Sequence, residues 1–201
     1  MNAPHISLVE IKVPTHPLFH QWLDLYETAF SPSEKLLVST ILKMLEESRK
    51  KSPHHLMAIT DQNDAFAGMM LYETKSDVGL ALLWYLAIQP ERRNQGIGSL
   101  IYQELLRRLN PSIYRALFFE VEIPAKKNRE EAERRIAFYQ RNGAFLLRGI
   151  HYLQNIGWHH PPTPMHIMMH PLIPMDAEQA FALAKIPFGD ALQKRGVLAL
   201  R

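Results

Sequence analysis

Apolar residues recur along this chain with two periods, and the places where the period changes mark its elements. Between Ile6 and Val13 they alternate (Ile6, Leu8, Val9, Ile11, Val13), which predicts a strand. From Pro17 to Phe30 they form a helical stripe through Leu18, Trp22, Leu25 and Ala29. A second helix, Glu34–Lys50, is predicted behind a Ser33 cap, with Leu37, Ile41, Met44 and Leu45 on one face. His55–Thr60 and Ala65–Glu73 read as a hairpin around the turn Asp61–Asp64. Leu80–Ile88 is apolar almost throughout, the mark of a strand buried on both faces. A polar, glycine-bearing loop, Pro90–Gly98, opens directly into a helix with Ile97, Ile101, Leu105 and Leu109 on its buried side, and Asn110-Pro111 ends it. Arg115–Ile123 predicts a strand. Asn128 and Glu131 have capping-box spacing for a helix to Asn142, with Gly143 as its stop. Ala144–Gly149 and His151–Ile156 predict a last pair of strands, Met165–His170 one more, and Asp176–Lys185 and Gly189–Leu200 two terminal helices. The order β-α-α-β-β-β-α-β-α-β predicts an α/β (α+β) fold, a mixed sheet with helices on both faces.

Composition narrows the function classes. With 201 residues, 47% of them hydrophobic and 21% charged, the chain suits one main domain, 1–170, with a C-terminal helical extension, 171–201. A net charge of +3 is too small and too scattered for a nucleic-acid face. The absence of cysteine excludes disulfides, thiolate metal sites and a cysteine nucleophile, and fits a reducing compartment. The longest apolar run, Gly79–Ile88, is about half of what a membrane span needs. The N-terminus lacks the basic-then-apolar order of a signal peptide, so a cytoplasmic, membrane-free protein is expected.

The informative stretch is Arg92-Arg-Asn-Gln-Gly-Ile-Gly-Ser99. A buried strand runs into a tight loop whose two glycines lack Cβ atoms, so several backbone N–H groups can approach one anion. The helix that follows adds its unpaired amides and the positive end of its dipole, and Arg92 and Arg93 put charge at the rim. Such a corner suits a pyrophosphate. A P-loop would need lysine before Ser99, and a dinucleotide fold a third glycine where Ile101 stands, so neither pattern fits. A bare Gly-x-Gly also serves as an ordinary tight turn.

The flanks of this loop decide between the two. Leu86-Ala-Ile-Gln-Pro-Glu-Arg-Arg-Asn-Gln-Gly-Ile-Gly-Ser-Leu-Ile101 resembles the acetyl-CoA-binding motif of the GNAT N-acetyltransferase superfamily, Gln/Arg-x-x-Gly-x-Gly/Ala, here Arg93 to Gly98. Downstream, Ala137-Phe-Tyr-Gln-Arg-Asn-Gly-Ala-Phe145 resembles the family's helix that ends in Phe-Tyr and a glycine. The likeness covers residues 6 to 158. It implies a GNAT fold in which the central strand Leu80–Ile88 splays from Arg115–Ile123 and admits the pantetheine arm. The backbone at Leu86, Ala87 and Ile88 would pair with that arm. The amides of Arg93, Asn94, Gln95, Gly96, Ile97, Gly98 and Ser99 would hold the pyrophosphate. Acetyl-CoA would serve as co-substrate, and an amine, either a small molecule or a peptide, as acceptor.

Acetyl transfer to an amine needs a proton acceptor, an oxyanion donor and a proton for the departing thiolate. Tyr139, on the inward Ala132/Ile136 face of its helix, is the candidate proton donor, and the likeness supports that role. Its alternative is a core tyrosine bonded to a carbonyl. Glu120 and Glu122 alternate in an otherwise apolar strand, where a carboxylate is costly unless paired or used. They are the candidate base, or else partners of a nearby Arg or Lys. Family members with a base glutamate on the central strand differ here, since Leu80–Ile88 carries no acid. His159, His160, His166 and His170 cluster among prolines without the spacing of a metal site, so no metal is expected. His151 is a second candidate for the base or the substrate wall. Lys126, Lys127 and Arg129 suit either the cofactor's 3′-phosphate or solvent. Trp84 and Tyr85 suit either the core or the acetyl pocket. Residues 175–201 could cover the substrate cleft or form a homodimer interface. A non-catalytic acyl-CoA-binding module is the rival reading.

Overall fold

The computed structural model describes residues 5–48, 53–155 and 161–201. The chain divides into two compact units, 1–108 and 109–201. The first contains β1 (Ile6–Ile11), α1 (Phe19–Ala29), α2 (Val38–Ser48), β2 (His54–Asp61), β3 (Phe66–Lys75), β4 (Leu80–Ile88) and α3 (Ile97–Arg108). Its four strands lie side by side in chain order, each pair antiparallel. Leu56 and Ala58 of β2, Met69 and Leu71 of β3, and Tyr85 and Ala87 of β4 share one face. That face packs on Phe19, Trp22, Leu25 and Tyr26 of α1 and on Ile41, Met44 and Leu45 of α2. Met57, Ile59 and Met70 alternate to the other face and are buried as well. Burial on both faces is why these strands read as unbroken apolar runs. Each of the largest fully buried side chains, Trp22 and Tyr26 among them, contributes about 2 kcal/mol or more through apolar area removed from water.

The segment between α1 and α2 departs from expectation. Ser31, rather than Ser33, does the capping: its N–H and hydroxyl both donate to the Glu34 carboxylate, at 3.2 and 3.0 Å, around a 3-10 turn at Pro32–Glu34. Residues 35–37 then run extended before α2 begins at Val38, because two buried tyrosines hold them. Tyr85 donates to the Glu34 carbonyl (2.7 Å) and accepts from the Leu36 N–H (3.2 Å), while Tyr26 donates to the Leu36 carbonyl (2.9 Å). A strand residue thereby fixes the arch joining the two helices.

The second unit contains β5 (Ala116–Glu122), α4 (Arg129–Arg141), β6 (Phe145–Gln154), β7 (Thr163–Pro171), α5 (Ala177–Phe188) and β8 (Leu192–Leu200). Its strands are ordered β5-β7-β6-β8, all antiparallel. α4 lies against β5 and β6, and α5 against β6 and β8. Three sequence expectations change here. The pair of strands expected at 144–149 and 151–156 is one strand, β6, up to Gln154, with Ile156 outside the described residues. Gly149 makes a bulge (φ 79°) rather than a turn. The Asn128 side chain accepts from the Ala125 N–H (2.8 Å) instead of capping α4. The helical extension expected at 171–201 is helical only through α5. Gly189–Leu200 forms a 3-10 turn and β8, not a second helix. Pairing with β6 overrides local helical preference there, since Leu146 and Arg201 exchange both main-chain hydrogen bonds (2.6 and 3.1 Å). At the bulge, a Cβ on Gly149 would lie 2.3 Å from the Val197 carbonyl, so the approach of β8 requires glycine.

Candidate active site

The loop after β4 begins with a 3-10 turn, Pro90–Arg92, and then twists through two left-handed residues, Asn94 (φ 62°) and Gly96 (φ 78°). α3 starts at Ile97, and its first capping bond runs from the Leu100 N–H to the Gly96 carbonyl (3.1 Å). The amides of Ile97, Gly98 and Ser99 stand ahead of that bond, in the turn whose N–H groups point out along the helix axis. Gln95 and Gly96 are exposed. They lie at the positive end of a helix, where main-chain amides favour an anion.

The two arginines brace this loop. Arg92 donates to Asp61 Oδ2 (2.8 Å), while Asp61 Oδ1 accepts the N–H groups of Asn63 (2.8 Å) and Ala65 (3.1 Å). The Asn63 amide first, then Ala65 and Arg92, hold the Asp61 carboxyl below its usual range. Arg93 Nε donates to the Ile88 carbonyl (3.1 Å), closing the loop onto the end of its own strand. Asp61 therefore anchors the loop to the β2–β3 turn. In the sequence it stands only as a turn residue, because a partner thirty-one positions away leaves no local signal.

β4 carries an irregularity near its middle. Its register with β3 slips between Leu71↔Tyr85 and Tyr72↔Leu83, so Trp84 is the extra residue of a bulge, with 38% of its surface exposed. Tyr85 is buried in the core, whereas Trp84 is partly exposed. Gly68 lies opposite Ile88, where a Cβ would come within 2.5 Å of the Ala87 carbonyl, so glycine lets the strands close just before the loop.

In the second unit Tyr139 is buried on α4, its ring 4.2 Å from that of Phe119, and burial pushes its hydroxyl up to about 12. Phe118, the alternate residue of β5, meets Phe188 of α5 instead (6.2 Å). Glu120 shares the Phe118 side, away from Tyr139. Its two carboxylate oxygens accept from the Tyr152 hydroxyl and the Gln154 amide, and burial raises its carboxyl above the ordinary range. Glu122 pairs with Arg135 of α4 (3.1 Å), the partnered state expected as its alternative. Tyr152 and Gln154 share one side of β6 by their i, i+2 spacing, but nothing local in the sequence shows that this side meets Glu120, thirty-two and thirty-four positions away.

His151 is exposed. His166 is lowered by burial and then by Arg148, and His170 by burial alone. His159 and His160 lie outside the described residues. Lys126, Lys127 and Arg129 are exposed. Among the described residues no group of three His, Asp or Glu side chains could hold a metal ion. No described helix is long and apolar enough to cross a membrane.

Residues 18–144 match the Acetyltransferase (GNAT) family. The chain belongs to that family. Among solved structures it is similar to a GNAT-family acetyltransferase assignment from Bacteroides thetaiotaomicron, with 25% identity over 91% of this chain and 98% of that one, and a TM-score of 0.71. It also shares its fold with a GNAT-family protein from Desulfovibrio desulfuricans (19% identity, 84% and 99% covered, TM-score 0.59). A third likeness in fold is to the spermidine N-acetyltransferase of Vibrio cholerae solved with CoA and spermine (11% identity, 84% and 96% covered, TM-score 0.61). No curated protein matches the chain.

Proposed function

We propose that this protein transfers the acetyl group of acetyl-CoA to a primary amine by direct attack, without an acyl-enzyme. The observation that supports the reading is the corner at 93–99, where Asn94 and Gly96 are left-handed and α3 begins at Ile97, directly after the loop. Those amides hold the pyrophosphate, and the main chain at 86–88 takes the pantetheine arm as a strand edge takes a peptide. The acceptor ammonium loses a proton to the Glu120 carboxylate through the Tyr152 hydroxyl that bonds it. The free amine then attacks the thioester carbonyl and the C–S bond breaks. The Tyr139 hydroxyl, kept protonated by burial, gives its proton to the departing thiolate, and the second proton shed by the acylated nitrogen as the amide forms restores Tyr139 through solvent. Glu122, held by Arg135, takes the supporting part.

Release of free CoA thiol, followed across a panel of primary amines, tests the proposal. Amine-dependent thiol release with a stoichiometric N-acetyl product is expected. Saturable acetyl-CoA binding with no thiol released by any amine would overturn it in favour of an acyl-CoA-binding module.

A further inference from the structure

Glu73 is the one acidic side chain buried in the cores of the described residues, 5% exposed, and no step above uses it. It sits on β3 directly across from His54 of β2 and Leu82 of β4. It therefore continues the row Met69–Leu71 on the face that α1 and α2 cover. Its counter-ion is Lys75, two residues along the same strand, at 2.6 Å. The pair is lopsided: the Glu73 side chain is 6% exposed and that of Lys75 34%. Taking a carboxylate out of water costs several kcal/mol, and one half-solvated lysine on a flexible stem repays little of it. Among the described residues the remaining neighbours add no second cation. The His54 imidazole is held low by burial, with Glu73 and Glu47 of α2 opposing that shift and Lys75 and His55 adding to it. Its ring meets the exposed Trp84 indole edge-on, at 6.1 Å. A buried carboxylate paired with a partly exposed lysine thus lies across from His54, whose ring meets the Trp84 indole at the bulge of β4.

We infer that Glu73 is the binding carboxylate for the acceptor, taking a cationic ammonium group of the substrate in place of Lys75, with the Trp84 indole packing on its alkyl stem. Lys75 is the placeholder that keeps the carboxylate paired while the site is empty. The acceptor is thereby a cationic alkylamine rather than a neutral or anionic amine. The inference rests on the N-acetyltransferase reading for its biological meaning, but its test does not.

The experiment measures binding of n-pentylamine and of 1-pentanol, its neutral counterpart, to the full chain at pH 7.5, read by the fluorescence of the exposed Trp84. Wild type is expected to bind pentylamine and not pentanol. Glu73→Gln should weaken pentylamine by about 10- to 100-fold, the worth of one charge-assisted hydrogen bond. Lys75→Met should tighten it, because the competing cation is gone. A merely structural ion pair predicts the opposite, with Lys75→Met destabilising the protein and leaving amine affinity unchanged or weaker. Equal pentylamine affinity in wild type and Glu73→Gln, or no tightening in Lys75→Met, overturns the inference. If Glu73→Gln fails to fold, the Lys75→Met arm decides alone. Thiol release by the same proteins separates the two readings. Turnover with KM indifferent to Glu73 sinks only this inference, whereas amine binding without turnover sinks only the transferase.

Discussion

Gly96→Ala isolates the loop geometry from everything else in the protein. Gly96 has φ 78°, and a Cβ built on it meets no atom within 4 Å. The substitution therefore brings no clash, only the cost of a left-handed residue, about 1 kcal/mol. For a chain of this size that shifts Tm by about 2–4 °C. Relief of the strain rotates the peptide toward negative φ and turns the amides that follow Gly96 off their common target. Loss of one hydrogen bond to a charged phosphate, worth about 1.5–3 kcal/mol, raises the Kd for acetyl-CoA by about 10- to 100-fold. Gly189→Ala is the control. It too has a positive φ (55°) with open space around its Cβ, and its ψ of −141° makes the backbone strain at least as large. It should lower Tm as much or more and leave the Kd unchanged. Titration calorimetry with acetyl-CoA and thermal melts on the three proteins give both numbers. If Gly96→Ala melts lower but binds acetyl-CoA as wild type does, the loop amides do not hold the cofactor and the reasoning fails.

Other expectations follow from the same geometry. Asp61→Asn keeps an acceptor for the Asn63 and Ala65 amides but loses the charge that holds Arg92, so acetyl-CoA binding should weaken while the hairpin stays folded; equal Kd values would refute the anchor role. Tyr139→Phe should lower kcat by about 100-fold with little change in acetyl-CoA affinity, the range of general acid catalysis; an unchanged kcat removes Tyr139 from the chemistry. Burial raises the Tyr139 hydroxyl to about 12 from 10.0, so above pH 10 the unfolded chain loses this proton first. The wild type should therefore lose stability as pH climbs through that window, and Tyr139→Phe should lose less. Glu120 is raised by burial, so its folded form holds a proton more tightly than its unfolded form and its stabilising contribution fades as pH rises through the folded value. Glu120→Gln should consequently be at least as stable at neutral pH, yet slow in turnover. An unchanged rate would show the residue to be structural.

Much of the fold was legible because its strands are short apolar runs and its helices carry long stripes. Leu80–Ile88 is delimited identically by pattern and by structure, since Pro90 and the charged run after it leave nothing to continue the strand. The loop proposed for the pyrophosphate is legible for a related reason: adjacent residues build it, and glycine declares the backbone conformation at Gly96. What stayed hidden depends on partners far along the chain. Residues 35–37 lie extended because Tyr26 and Tyr85 bond Leu36, a contact forty-nine positions long for Tyr85. The 192–200 segment reads as a helix on its own and becomes a strand because Gly149 lets β6 receive it. Glu120 and Glu122 stood out as acids in an apolar strand, but only packing shows that one joins Tyr152 and Gln154 and the other Arg135. Glu73 drew no notice because it ends a predicted strand, where a charge is ordinary, and its burial comes from the register with His54 and Leu82.

Competition between acetyl-CoA and S-acetyl-pantetheine, which carries the same thioester without the diphosphate, tests the pyrophosphate corner most directly. Calorimetry should give saturable binding of acetyl-CoA and binding of S-acetyl-pantetheine weaker by at least about 100-fold, the worth of two phosphate contacts at the lower end of their range. Equal affinity for the two, or no heat with acetyl-CoA, would contradict the assignment of residues 93–99 as the phosphate site.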